Sequence, residues 1–207
     1  METDRSGLTV SKTIYNEAYY TEHYPDQTGG TAAVKVDKER EQEKTRRVLQ
    51  GKANRSAGKM LEQLIDAACQ YYARHGKAII HKTPEPVRVL GKVDKAGRFQ
   101  ACFEKKAQPD YKGCLRNGKA IVFEAKNSES GRIAKSRLTD QQEEILQQFH
   151  EMGAVSFVLV SLNLQAFYCV PWPVWADMQR NFGHKHMTPE ELEPFRVQYN
   201  EVIRFLG

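Results

Sequence analysis

The sequence has no long apolar run. No stretch approaches the roughly 18 consecutive apolar residues that a membrane-spanning helix requires, so we expect no transmembrane helix. The first residues, Met-Glu-Thr-Asp-Arg-Ser, contain no apolar stretch of the kind that a signal peptide carries. We therefore expect a cytoplasmic protein with no membrane partner.

Cysteine is scarce, and no charge dominates. The four cysteines are scattered, and none forms a Cys-x-x-Cys pair. This spacing argues against a zinc site or a disulfide framework and is typical of reduced cytosolic thiols. The net charge of +5 permits a polyanionic partner such as nucleic acid but does not require one.

The 207 residues suffice for one domain with a substantial core and additional segments. Residues 1–54 are polar and aperiodic, with a basic charged segment, which predicts a basic, flexible N-terminal arm that is disordered or loosely helical. We expect the core over residues 55–175 and a C-terminal helical extension over residues 176–207.

Periodicity predicts the main elements of the core. A helix is expected from Ser56, as its cap, to His75, and a second from Leu138 to Met152. The almost wholly apolar run from Ala154 to Ser161 predicts a central strand that is buried on both faces. The Thr188-Pro189-Glu190-Glu191 motif predicts the start of a last helix that runs towards Phe205. The order of elements indicates an α/β fold with a mixed central β-sheet flanked by helices.

A basic hairpin is predicted at about residues 87–106. Two extended segments, from Val87 to Val93 and from Arg98 to Glu104, are joined by the turn sequence Asp94-Lys95-Ala96-Gly97. Its basic residues are Arg88, Lys92, Lys95, Arg98, Lys105 and Lys106. It is either a solvated surface hairpin or a projection that enters branched DNA.

A second hairpin carries the most informative motif. The segment from Lys119 to Lys126 predicts a strand, and Asn117-Gly118 before it is a hairpin-turn signal. Because side chains alternate along a strand, Glu124 and Lys126 point to the same face. The hairpin would bring Asp110 back beside Glu124, so two carboxylates and an ammonium group should converge at one end.

This set matches the needs of metal-dependent phosphodiester hydrolysis. Mg²⁺ binds one or two carboxylates, waters and substrate phosphate, and Asp110 and Glu124 can supply the carboxylates. Lys126 can orient the attacking water or stabilise the developing negative charge. Glu62 could reach the same region if the first helix packs on the sheet. The alternative is a surface strand with solvated charges, since Glu-x-Lys alone is common.

Several stretches together resemble the RecU-like Holliday junction resolvases of the PD-(D/E)-x-K nuclease superfamily. They are Gly58-Lys59-Met60-Leu61-Glu62, Ala78 to Pro86, Asp110-Tyr111-Lys112-Gly113, Phe123-Glu124-Ala125-Lys126, Gln141-Gln142 and Phe157 to Ser161. They span roughly residues 54–175 in the order of the family.

The resemblance implies a restriction-endonuclease-like core with a projecting basic stalk at about residues 87–106. It also implies a homodimeric, Mg²⁺-dependent endonuclease, with Mn²⁺ as a substitute, that nicks four-way DNA junctions symmetrically in recombination and repair. Asp110 and Glu124 match the metal carboxylates, and Lys126 and Glu62 match catalytic residues.

Two further positions are assigned by the resemblance. Gln142 matches a glutamine that helps hold the metal site, while Gln141 stands in place of the family's histidine. Gln108 stands where the family has a threonine beside the metal site. These departures indicate a divergent member, of bacterial or phage origin. Residues expected to contact DNA are Arg55, Lys59, Lys82, Arg88, Lys92, Lys95, Arg98, Lys105 and Lys106.

Two other functions fit the same core. One is a restriction or repair nuclease that acts on other DNA, and the other is a non-catalytic DNA-binding protein. The stalk favours a junction enzyme, because a duplex cutter has less use for a projecting basic hairpin. The presence of Asp110, Glu124 and Lys126 together favours an enzyme.

Overall fold

The computed structural model describes residues 29–84, 86–103 and 108–207, except for the side chains of residues 29–39 and of Phe103. The predictions for residues 1–28 and for Lys105 and Lys106 therefore lie outside the described residues. The chain divides into two units, Met1–Lys52 and Ala53–Gly207, and the second contains the sheet described below.

The elements follow one another in this chain order: α1 (Gly29–Arg74), β1 (Ala78–Lys82), β2 (Val87–Val89), β3 (Ala101–Phe103), β4 (Tyr111–Leu115), β5 (Ala120–Ser128), β6 (Ile133–Ala134), a 3₁₀ helix (Lys135–Arg137), α2 (Asp140–Glu151), β7 (Val155–Leu162), β8 (Ala166–Pro171), α3 (Trp172–Ala176), α4 (Met178–Phe182), β9 (His186–Met187), α5 (Pro189–Leu192), a 3₁₀ helix (Glu193–Phe195), β10 (Tyr199–Asn200) and β11 (Val202–Ile203).

A mixed five-stranded sheet in the order β1-β4-β5-β7-β8 forms the centre of the second unit. β5 and β7 are parallel, and the other neighbours are antiparallel. The parallel pair requires a crossover connection, and α2 lies within it. The predicted α/β fold with a mixed central sheet flanked by helices is confirmed.

Apolar side chains cover both faces of this sheet. On one face, α1 packs on the sheet together with the end of the chain through Leu61, Ile65, Ala68, Tyr72, Phe123, Phe157, Ile203 and Phe205. On the other face, α2 and the segments after β8 pack through Val122, Leu146, Val158, Val160, Trp172, Trp175, Met178, Met187 and Leu192. β7 is buried from Ser156 to Leu162, which confirms the predicted central strand.

The predicted start of the first helix is wrong. α1 begins at Gly29, so Ser56 lies inside a helix and caps nothing. Residues 29–54 of the predicted arm, expected to be disordered or loosely helical, are helical. Lysine, arginine and glutamate have high helix propensity, and they fill much of this segment. Glu43 pairs with Arg46 at 3.2 Å and with Arg47 at 3.0 Å, at the spacings that support a helix.

The predicted C-terminal helical extension is also wrong. Thr188 does form the predicted capping box with Glu191, but α5 ends at Leu192. Pro194 follows within the next turn, where it removes a backbone donor. Short strands take over after the 3₁₀ helix. Met178, Leu192 and Ile203 are fully buried, so this segment belongs to the core.

The basic hairpin predicted at residues 87–106 is confirmed for its described part. β2 and β3 pair antiparallel, and Leu90 N donates to Gln100 O at 2.8 Å. At the tip, Asp94 Oδ1 accepts bonds from the amides of Ala96 and Arg98, both at 2.8 Å. Every residue from Val87 to Ala101 is exposed. We call the segment from Val87 to Phe103 the stalk.

All four cysteines are free thiols, as their spacing predicted. Within the described part of the chain, none of the helices combines the length and the apolar character that crossing a membrane requires.

Candidate active site

The hairpin of β4 and β5 carries the predicted motif. Its turn is closed by Leu115 N donating to Lys119 O at 2.9 Å, and Gly118 takes a φ of 83° that favours glycine. The strand register pairs Tyr111 with Phe123. This register sets Asp110 beside Glu124, which confirms the geometry expected from the sequence.

Each carboxylate is held by the backbone of the opposite strand. Asp110 N donates to Glu124 Oε1 at 3.2 Å, and Ala125 N donates to Asp110 Oδ2 at 3.0 Å. Lys126 Nζ lies 3.0 Å from Glu124 Oε2 and 3.9 Å from Asp110 Oδ2. The three charged groups therefore meet in one place, in orientations that the hairpin fixes.

Gln142 joins the site from the first turn of α2. Its Nε2 donates to Glu124 Oε2 at 2.6 Å. Its Oε1 accepts from Thr139 N at 3.1 Å, as the reciprocal half of a capping box. Because the side-chain oxygen is used by the cap, Gln142 positions Glu124 through its amide group, and the expectation that it ligates a metal stays a prediction.

The carboxyl side chain of Glu124 is fully buried. Its burial is the main cause that raises the pKa of Glu124 to about 7, and the negative charge of Asp110 adds to the shift, while the Lys126 ammonium opposes it.

A divalent cation would relieve the repulsion between the Asp110 and Glu124 carboxylates. Among the described residues no group of three or more His, Cys, Asp or Glu side chains could hold a metal. Asp110 and Glu124 fit Mg²⁺, which completes its shell with water and phosphate.

Glu62 reaches the same end of the sheet from α1. Its Oε2 lies 2.6 Å from Lys82 Nζ, and Lys82 is the β1 partner of Tyr111. Thr83 N also donates to Asp110 O at 2.8 Å, so the end of β1 adjoins the site. Lys82, expected to contact DNA, is thus engaged in an ion pair with Glu62.

Sequence reasoning missed Asp66. The buried Tyr111 hydroxyl donates to Asp66 Oδ1 at 3.1 Å and to Glu62 O at 3.4 Å. Burial and the charge of Asp66 raise the pKa of Tyr111, so its hydroxyl stays a donor. This contact ties α1 to β4 next to Asp110. The spacing of Asp66, one helical turn after Glu62, was the only available signal.

The remaining predicted residues lie apart from these contacts. Gln108 is exposed, and its Oε1 accepts from Lys112 Nζ at 3.3 Å, so a role at the metal site stays a prediction. Arg98 Nε is paired with Asp94 Oδ2 at 2.9 Å within the stalk turn. The other predicted DNA contacts that the structure describes are exposed, namely Arg55, Lys59, Arg88, Lys92 and Lys95.

Comparison with known proteins gives relatives over most of the chain. A protein of Geobacillus sp., described as Holliday junction resolvase RecU, is 32% identical over 151 residues, which cover 67% of this chain and 73% of that protein. Proteins with the same description from Bacillus pumilus and Pediococcus pentosaceus are 29% and 32% identical to this chain. Each alignment covers 72% of this chain, and the two cover 76% and 80% of the respective relatives.

A solved structure and a family model also match. Hjc, a Holliday junction resolvase of Archaeoglobus fulgidus, aligns over 66% of this chain and 94% of its own, with a TM-score of 0.43 and 12% identity. The family model described as Recombination protein U matches residues 56–206. This match corrects the expectation that the resemblance ends near residue 175. The chain belongs to the RecU family.

Proposed function

We propose that the protein is a structure-selective DNA endonuclease that resolves four-way (Holliday) junctions by paired nicks, in recombination and repair. The convergence of Asp110, Glu124 and Lys126 at one end of the β4–β5 hairpin carries this proposal, because it supplies two metal carboxylates and a cation beside them. Membership of the RecU family supports the choice of a junction as substrate.

The cofactor is Mg²⁺, with Mn²⁺ as a substitute, held by Asp110 and Glu124. When bound, it lowers the pKa of water and neutralises charge on the scissile phosphate. Lys126 favours the ionised form of Glu124 through their 3.0 Å contact, and its ammonium can orient the attacking water or stabilise the charge that develops on phosphate. Gln142 fixes the Glu124 carboxylate, and Glu62 lies at the same end of the sheet on α1, paired with Lys82, as a further candidate catalytic residue.

The working unit is a homodimer. A four-way junction has two-fold symmetry, so paired nicks require two active sites related by the same symmetry. The exposed stalk, with Arg88, Lys92 and Lys95, is the element that enters the junction. The cytoplasmic location and the possible phage origin stay predictions.

Incubation of the protein with a labelled four-way junction and with linear duplex of the same sequence, with and without Mg²⁺, tests this function. We expect symmetric nicks in the junction only when Mg²⁺ is present. Binding to the junction without Mg²⁺-dependent nicking would favour a non-catalytic DNA-binding protein. Equal cleavage of the linear duplex would favour a restriction or repair nuclease.

A further inference from the structure

The end of the sheet opposite the candidate active site is basic. Lys77 immediately precedes β1 and Arg116 immediately follows β4, and Arg116 N donates to Lys77 O at 2.9 Å. Arg116 is six residues along the chain from Asp110, and at about 3.4 Å per strand residue the two lie about 20 Å apart. This surface is therefore separate from the carboxylate site.

Two open depressions meet at Lys77. The first, of about 540 Å³, is lined by the cations Lys77, Arg196 and Arg204 and by the amide side chains of Gln198 and Asn200, among others. The second, of about 650 Å³, includes Lys77 and Arg116 in its lining. We call the two together the basic groove.

Three of the four cations that line the basic groove form no ion pair with a carboxylate side chain of the described residues. Arg196 is paired with Glu193 at 2.7 Å. Within the described ranges, by contrast, Lys77, Arg116 and Arg204 form no ion pair with an Asp or Glu side chain. Lys77 Nζ donates to Gly207 O at 2.9 Å, and the Arg204 guanidinium lies 4.0 Å from the centre of the Tyr71 ring.

We propose that the basic groove binds the phosphate backbone of a DNA arm, as a second contact remote from the reactive phosphate. Arginine and lysine side chains, together with side-chain amides, are the usual donors to DNA phosphates.

This inference rests on the proposed function, because it assumes a substrate with duplex arms. A distance of about 20 Å corresponds to about six base pairs at 3.4 Å each, so only an arm of at least that length can reach from the cleavage point to the groove. The basic groove would then hold the arm and set its direction as it leaves the active site.

Charge reversal at Lys77 and at Arg116, as the single variants Lys77→Glu and Arg116→Glu, tests the inference. The matched control is Arg180→Glu, which makes the same charge change at an exposed arginine of α4. Affinity is measured without Mg²⁺ for a junction with arms of about 20 base pairs and for one with arms of about 5, capped by loops. Thermal melts followed by circular dichroism verify that each variant is folded.

We expect each groove variant to bind the long-armed junction about three- to tenfold more weakly, with a salt-dependence slope reduced by about 1, because one phosphate contact is lost. The short-armed junction should be bound equally by the groove variants and the wild type, and Arg180→Glu should match the wild type on both. Unchanged affinity of the groove variants for long arms, or an equal loss in Arg180→Glu, would overturn the inference.

Titration with inorganic phosphate and with a polyglutamate peptide distinguishes other anions. One outcome would assign the groove to such an anion and overturn a DNA contact: both groove variants lose binding of the phosphate or the peptide but keep the wild-type affinity for the junction.

The proposed function and the groove inference can fail separately. The proposed function fails if the wild type does not nick junctions with Mg²⁺, whereas the dependence of binding on arm length is measured without cleavage. If the wild type nicks and the groove variants bind normally, the groove inference alone fails.

Discussion

Glu124 is the most closely held carboxylate of the candidate active site. It accepts hydrogen bonds from Asp110 N, Lys126 Nζ and Gln142 Nε2, yet its burial and the nearby Asp110 still raise its pKa to about 7. A divalent cation bound at Glu124 would therefore compete with the proton, because a metal ligand has to be deprotonated.

Asp110→Asn and Lys126→Ala should each lower the rate of junction cleavage by at least about 100-fold, because each removes charge that acts on the reacting phosphate. Junction affinity should change by less than about threefold, since binding rests mainly on phosphate contacts elsewhere. Single-turnover cleavage and gel-shift titration measure the two quantities. Lys112→Ala, at an exposed lysine on the same hairpin, is the control and should cleave normally. Parallel loss of binding and cleavage would contradict the assigned roles.

The raised pKa of Glu124 makes stability depend on pH. Between pH 4.5 and about 7 the folded protein binds a proton that the unfolded chain has lost, so the free energy of unfolding falls as pH rises through this window. The loss should be of order 1–3 kcal/mol in metal-free protein. The side chain of Gln in the Glu124→Gln variant does not titrate, so the wild type should lose stability relative to this variant between pH 5 and pH 8. Urea unfolding of both proteins in the presence of a chelator measures this difference. A difference that is constant with pH would show that Glu124 titrates normally.

At the scale of elements, strands were predicted more accurately than helix ends. The β4–β5 hairpin and the doubly buried β7 have strong local patterns, and both are confirmed. The start of α1 was missed because Ser56 carries a cap signal that a longer helix can also contain. The length of α5 was missed because a capping box marks where a helix begins and gives no information about where it stops.

Gly113 is a point of close approach between β4 and β1. A Cβ placed on this residue would lie 2.0 Å from Ile79 O and 2.7 Å from Ile80 Cα, so Gly113→Ala must force the two strands apart. We expect a loss in the free energy of unfolding of more than about 3 kcal/mol, measured by urea unfolding. Gly58→Ala is the control, because its Cβ meets nothing within 4 Å in α1 and alanine favours a helix. Equal stability of the two variants would refute this tight packing.

The stalk should govern the choice between substrates. Deletion of Asp94 to Arg98 removes the tip and should lower affinity for the junction more than affinity for linear duplex, because only the junction offers an open centre for the stalk. The ratio of the two dissociation constants, measured at one salt concentration, reports the effect. An unchanged ratio would exclude a role for the stalk in selecting junctions.

At the scale of the whole molecule, sequence proximity decided which part of the site could be predicted. Asp110, Glu124 and Lys126 belong to one hairpin, so strand alternation and a turn signal were enough to bring them together. The Glu62–Lys82 ion pair and the Tyr111–Asp66 hydrogen bond join α1 to the sheet across long sequence separations. These contacts depend on how the helix packs, which no local pattern specifies.

Mg²⁺ should stabilise the entire folded unit, because the unfolded chain has no preformed site. At 100 times its dissociation constant it would add about 2.7 kcal/mol to the free energy of unfolding. For a protein of this size, the melting temperature should rise by about 5–10 °C. Asp110→Asn should show little of this rise in calorimetry or fluorescence melts. An equal rise in both proteins would place the bound Mg²⁺ elsewhere.

The two ends of the Gln142 side chain serve different structures, since the oxygen caps α2 and the nitrogen holds Glu124. Fraying of the first turn of α2 would release the oxygen and free the nitrogen from its carboxylate at the same time. Local unfolding of this turn would thus loosen the Glu124 carboxylate and lower activity. Ligands or neighbouring chains that order the start of α2 would restore the position of Glu124 without contacting the carboxylates themselves.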